Sequence, residues 1–213
     1  MPNNAYGFTY PLADDQADGP AAFLALANSA GPYSNMRFAT AAARDALLTS
    51  PVQGMKAWLN DLKIWTAHDG TTWLPFGGTT QTYTPVWTAS TTNPVLSNGV
   101  IAGRYTQVGK MVTCSIELTM GSSTTYGSGT WSLTLPVGAR TSNRIGLTGL
   151  AIDQSSGTRY FSYGYWVGPS STATITYFAV SGANVISSSV DLNSPFAWAS
   201  TDTFMISGTY EAA

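Results

Sequence analysis

M-V-T-C-S-I-E-L-T-M, residues 111–120, alternates one by one between apolar and polar side chains. Successive Cβ atoms of an extended chain point to opposite faces of the pleat, so Val112, Cys114, Ile116, Leu118 and Met120 share one face and Thr113, Ser115, Glu117 and Thr119 the other. The spacing predicts a strand with one buried side. W-S-L-T-L-P, residues 131–136, repeats the pattern with Trp131, Leu133 and Leu135 inward, and Pro136 ends it by removing a ladder donor. Outward from this pair, turn signals recur at T-T-N-P, S-N-G, the glycine-serine run 121–129, Q-S-S-G and V-G-P-S-S. Between the later ones, Phe161, Tyr163, Tyr165 and Val167 alternate with Tyr160, Ser162, Gly164 and Trp166. The chain closes on Phe204, Ile206, Gly208 and Tyr210 set against Met205, Ser207 and Thr209. Roughly seven to nine short strands with few helix signals predict a mainly β protein whose C-terminal part is an antiparallel β-sandwich, jelly-roll-like.

Composition narrows the partners. Only 9% of the 213 residues are charged, against roughly 25% in an ordinary soluble domain. Solubility therefore rests on Ser, Thr, Asn and Gly, and such a surface loses little on desolvation when copies pack together. That favours self-association, and a homotrimer is expected. A net charge of −2 and the absence of a basic run exclude nucleic acid, which requires clustered cations. No apolar run reaches the ~18 residues of a membrane span, and M-P-N-N-A-Y lacks the basic start and apolar stretch of a secretory signal, so synthesis in a cytoplasm without membrane insertion is expected. Cys114, the single cysteine, falls on the apolar face of its strand and packs as a small hydrophobe.

The N-terminal third reads differently. Residues 1–35 form an arm and an attachment helix. Tyr6, Phe8 and Tyr10 carry no periodicity and suit docking into a neighbouring surface. Asp18 or Gly19 can cap a helix that begins at Pro20 and stops at Gly31-Pro32, with Phe23, Leu26, Ala27 and Ala30 in a narrow stripe that needs a partner. Asp14, Asp15 and Asp18 match no calcium-loop spacing and read as acids at a helix start. Residues 36–80 form a small helix-hairpin connector: Thr40 caps a helix over 41–48, and strands at 55–59, 63–67 and 72–76 are joined by N-D and H-D-G turns, with Trp58, Trp65 and Trp73 as packing material. Gly77-Gly78-Thr79-Thr80 is a polar joint before the sandwich, residues 81–213.

Several of these segments carry a resemblance. R-F-A-T-A-A-A-R-D-A-L, P-V-Q-G-M-K-A-W-L and D-G-T-T-W-L-P-F are similar to the connector module of tail, fibre and other virion surface proteins of tailed bacteriophages, especially those of actinobacteria. Y-G-F-T-Y-P with A-D-G-P-A-A-F-L-A-L-A resembles their N-terminal attachment segment, and the run 87–112, from W-T-A-S-T-T-N-P to Q-V-G-K-M-V, resembles the opening of their C-terminal β domain. The resemblance implies a minor tail, fibre or head-fibre protein on the virion surface, contacting other virion proteins through Tyr6, Phe8, Tyr10, Phe23 and Leu26. It implies a far end of trimeric jelly-roll type that binds host surface or decorates the particle.

Signals for chemistry are sparse. His68, the one histidine, sits in the H-D-G turn, where Asp69-Gly70 makes the bend. No G-x-S-x-G, H-E-x-x-H, P-loop or dinucleotide fingerprint occurs, so neither catalysis nor a metal or other cofactor is expected. A glycan-degrading hydrolase is the alternative; it would need two of Glu117, Asp153, Asp191 and Asp202 to converge within about 5–9.5 Å. Glycan binding needs only aromatic faces beside hydroxyls and amides. Tyr160 and Trp166, outward if the Phe161/Val167 face is buried, and Tyr126, in the glycine-serine run, are the candidate contacts, with subunit-interface packing as their other role.

Overall fold

The computed structural model describes residues 19–30, 35–140, 144–167, 171–181 and 184–213, and of residues 144, 145, 166, 167, 179–181, 184 and 185 the backbone alone. Tyr6, Phe8 and Tyr10 lie outside the described residues. The chain divides into two compact units between Thr79 and Thr80.

In the first unit, α1 (Gly19–Ala30) buries none of its residues; Phe23 is 72% exposed and Leu26 40%. A four-stranded sheet follows, in the order β1 (Asn35–Phe38), β2 (Lys56–Leu59), β3 (Ile64–His68), β4 (Trp73–Gly78). β1 and β2 are parallel, which requires a crossover, and α2 (Ala41–Leu47) supplies it. Thr40 caps α2 by accepting from the Ala43 N–H at 3.1 Å. The quoted R-F-A-T-A-A-A-R and D-G-T-T-W runs meet in space. Arg44, buried, pairs with Asp45 at 2.8 Å, donates to the Thr66 hydroxyl at 3.1 Å and holds its guanidinium 4.4 Å from the Trp73 ring centroid. In the H-D-G turn, Gly70 has φ +103°, and the Asp69 carboxylate accepts from the N–H groups of Thr71 and Thr72. The buried His68 accepts at Nδ1 from the Gly70 N–H and packs edge-on to Trp73. Turn and packing account for this histidine.

The second unit is mainly β and antiparallel throughout. Its described residues form ten strands, β5 (Gln81–Tyr83), β6 (Trp87–Ala89), β7 (Val100–Val108), β8 (Met111–Thr119), β9 (Trp131–Thr134), β10 (Arg144–Asp153), β11 (Thr158–Val167), β12 (Thr172–Ser181), β13 (Asn184–Ser189) and β14 (Thr203–Glu211). They form one sheet in the order β5-β7-β8-β14-β10-β11-β12-β9-β6, with β13 sharing the outer edge of β12 with β9. The last strand of the chain is inserted between β8 and β10. Inward residues of β8, β9, β10, β12 and β14 belong to a single buried cluster, so the sheet folds over its own inner face as a sandwich-like half-barrel. Val112, Cys114, Ile116, Leu118 and Met120 are buried, as the alternation predicts. Trp131, fully buried, stands at the centre of an aromatic group, 4.6 Å from Trp87 and 5.0 Å from Trp198 between ring centroids, and its indole N–H donates to the Tyr126 carbonyl at 3.1 Å.

One strand reverses the expected facing. On β11 the inward residues are Tyr160, Ser162 and Gly164, while Phe161 is 72% exposed and Tyr165 42%. Neighbouring strands fill the space beneath them. A Cβ on Gly164 would lie 3.3 Å from Ile206 Cδ1 and 3.4 Å from Ala173 Cβ, so small residues occupy the core side there and the larger rings are turned out. No helix among the described residues is long and apolar enough to cross a membrane.

Candidate binding surface

The outer face of the second unit is built by strict register. Arg104 on β7 pairs with Ser115 on β8, Ser115 with Ser207 on β14, and Ser207 with Thr148 on β10. The row continues from Thr148 to Tyr163 on β11, then to Thr176 on β12 and Ser189 on β13. It thus crosses seven strands at right angles, about 29 Å at the usual interstrand spacing. A second row lies beside it: Ala102, Glu117, Met205, Leu150 and Phe161. The two rows line an open groove of about 760 Å³, with Arg104 and Glu117 at one side and the Phe161 ring at the other. Beyond it, Gly146 leaves a notch bounded by Tyr163, Tyr165, Ser187 and Ser189. The rings form a cluster: Tyr163 lies 4.9 Å from Phe178, which is 51% exposed, and 6.2 Å from Tyr165.

Chemically this face offers hydroxyl donors and acceptors along its middle, aromatic planes along one side, and one cation beside one carboxylate. Among the described residues neither Arg104 nor Glu117 forms an ion pair; the pairs there are Arg44–Asp45 and Arg140–Glu211. Each of β8, β10, β11 and β14 has a hydrogen-bonded strand on both sides, which leaves side chains as the contact groups over the groove.

The candidates drawn from sequence fall elsewhere. Tyr160 as an outward glycan contact is corrected: it faces the core side, packed 5.5 Å from Phe196 and edge-on to Tyr177, because the facing of β11 is reversed. Trp166 pairs in register with Ile145, and its side chain lies outside the described residues. Tyr126 is partly buried, stacked on Trp131 at 25° between planes, and burial raises its phenol pKa above the usual value; it belongs to the rim of the core rather than to an exposed loop. Phe23 and Leu26 are exposed on α1. What sequence missed is the Phe161–Tyr163–Tyr165 column, which it assigned to the buried side; the signal was present in the small residues Ser162 and Gly164, which mark a crowded inner face.

Each candidate acid but Glu117 is held by neighbouring N–H or hydroxyl groups. Asp202, 1% exposed, accepts from the main-chain N–H groups of Gln154 at 2.9 Å and Ala199 at 2.7 Å. Asp153 accepts from the main-chain and hydroxyl groups of Ser155 and Ser156, which hold its carboxyl below the usual range, and Asp191 accepts from the Asn193 N–H. Glu117 is the one carboxylate in the lining of the groove. Among the described residues no three His, Cys, Asp or Glu side chains come together as a metal cluster.

No protein-family model matches the sequence, and no curated protein matches it. Among solved structures, the chain is similar to the Dettilon tailspike protein. The TM-score is 0.44 at 19% sequence identity, over 62% of this chain and 23% of that one.

Proposed function

We propose that this protein is a component of a bacteriophage particle that acts by binding, without turnover. Its N-terminal segment attaches it to other virion proteins, and the unit that starts at Thr80 presents its outer face to the host envelope. The observation that carries the reading is that face: the exposed hydroxyls of Ser115, Ser207 and Thr148 side by side in a transverse row, flanked by exposed rings, on a chain in which charge is 9% of residues. The segment resemblances to virion surface proteins support the particle assignment. The low charge supports a homotrimer, since copies with few ionised groups pack at small desolvation cost.

The test is co-sedimentation of the full chain with cells of a susceptible host. Saturable binding is expected; none at micromolar protein would overturn adhesion and leave a decorative role on the particle. Mass photometry of the same sample should give three copies, and a stable monomer would remove the trimer.

A further inference from the structure

We infer that the ligand of the outer face is an extended, uncharged polysaccharide lying across the strands, its sugar planes against Phe161 and Tyr165 and its hydroxyls along Ser115, Ser207 and Thr148. This rests on the proposed role of the same unit in binding and names what it binds.

The chemistry of the face selects this ligand over others. A polyanion requires clustered Lys and Arg to replace its counterions, and the groove lining holds a single Arg104 with Glu117 on the adjacent strand. A peptide strand binds by adding to a free sheet edge, whereas the groove lies over β8, β14 and β10, whose main chains are paired on both sides. An amphipathic helix requires apolar anchors at i, i+3, i+4 and i+7 along a groove, and the middle of this one is Ser115, Ser207 and Thr148. A sugar chain meets each feature: C–H faces stack on rings, and hydroxyls both donate to and accept from serine and threonine. Arg104 and Glu117, with no ion pair among the described residues, supply a donor and an acceptor at the far side of the same groove. Thr148 lines the groove and its cross-strand partner Tyr163 the Gly146 notch, so the two adjoin there and one chain can occupy both.

Gly146 provides a clean test. The nearest atom to a Cβ built there is the Gly164 carbonyl oxygen at 3.9 Å, and its φ is not in the left-handed region, so a valine fits the strand and fills the notch from the solvent side. Affinity electrophoresis of the full chain would use gels containing dextran, laminarin, mannan or galactan as neutral probes and polygalacturonate as the charged one. Retardation by at least one neutral polymer is expected. Gly146→Val and, independently, Phe161→Ala should each weaken it at least tenfold at unchanged thermal midpoint. Retardation by polygalacturonate alone, by no neutral polymer, or equally in parent and both variants would overturn the inference. Parent protein that binds host cells but no neutral polymer would sink the ligand class and leave adhesion standing. Retardation by a neutral polymer without cell binding would do the reverse.

Discussion

Replacing Trp131 by phenylalanine tests whether the core of the second unit is organised as described. The indole is fully buried, 4.6 Å from Trp87 and 5.0 Å from Trp198, and donates to the Tyr126 carbonyl at 3.1 Å. Phenylalanine keeps a ring for both neighbours but removes the donor and part of the volume. The lost hydrogen bond is worth about 1 kcal/mol. The unfilled space adds about 1 kcal/mol, below the range for complete truncation of a large side chain. With a urea slope of about 2 kcal/mol/M, the loss of about 2 kcal/mol lowers the midpoint by about 1 M. Trp131→Ala, which also breaks both close ring pairs, should cost about 4–5 kcal/mol. Tyr126→Phe is the control: the acceptor is the main-chain carbonyl, which survives the change, so the midpoint should move by less than about 0.3 M. Urea unfolding followed by far-ultraviolet circular dichroism reads all three. A Trp131→Phe midpoint within about 0.3 M of the parent, or a Tyr126→Phe shift as large as that of Trp131→Phe, would refute the reasoning.

Gly149→Ala drives a methyl group into the Met205 carbonyl, with Ile206 Cγ2 at 2.7 Å, and should cost about 1–3 kcal/mol in thermal or urea unfolding; Gly146→Ala, in open space, should be neutral or gain up to about 1 kcal/mol. Burial pushes the Cys114 thiol up to about 11 and the Tyr83 and Tyr210 phenols higher still. The unfolded chain therefore releases these protons first, and the stability they contribute, intact below about pH 8.5, is lost as pH rises through the folded values. Urea midpoints at rising pH should show it, and iodoacetamide at neutral pH should label Cys114 only as fast as the protein unfolds. Asp202→Ala removes two charge-assisted hydrogen bonds, from the N–H groups of Gln154 and Ala199 to a buried carboxylate, and should lower stability by about 2 kcal/mol; an unchanged melting temperature would contradict its structural role.

Sequence by itself determined what local physics decides. The alternation over 111–120 gave a strand and its buried side, Thr40 a helix start, and Asp69-Gly70 a turn, because each depends on backbone geometry and near neighbours. Only the tertiary structure decided which side of β11 faces the core. Its aromatic content argues for burying Phe161, but Ile206 and Ala173, which come from strands far apart in the chain, fill the space that such a ring would need. The transverse row was equally illegible. Ser115 meets Ser207, and Ser207 meets Thr148, only because β14 is inserted between β8 and β10, a pairing across some ninety residues that no window of sequence encodes. A face made of single residues from seven strands exists only once the register is fixed.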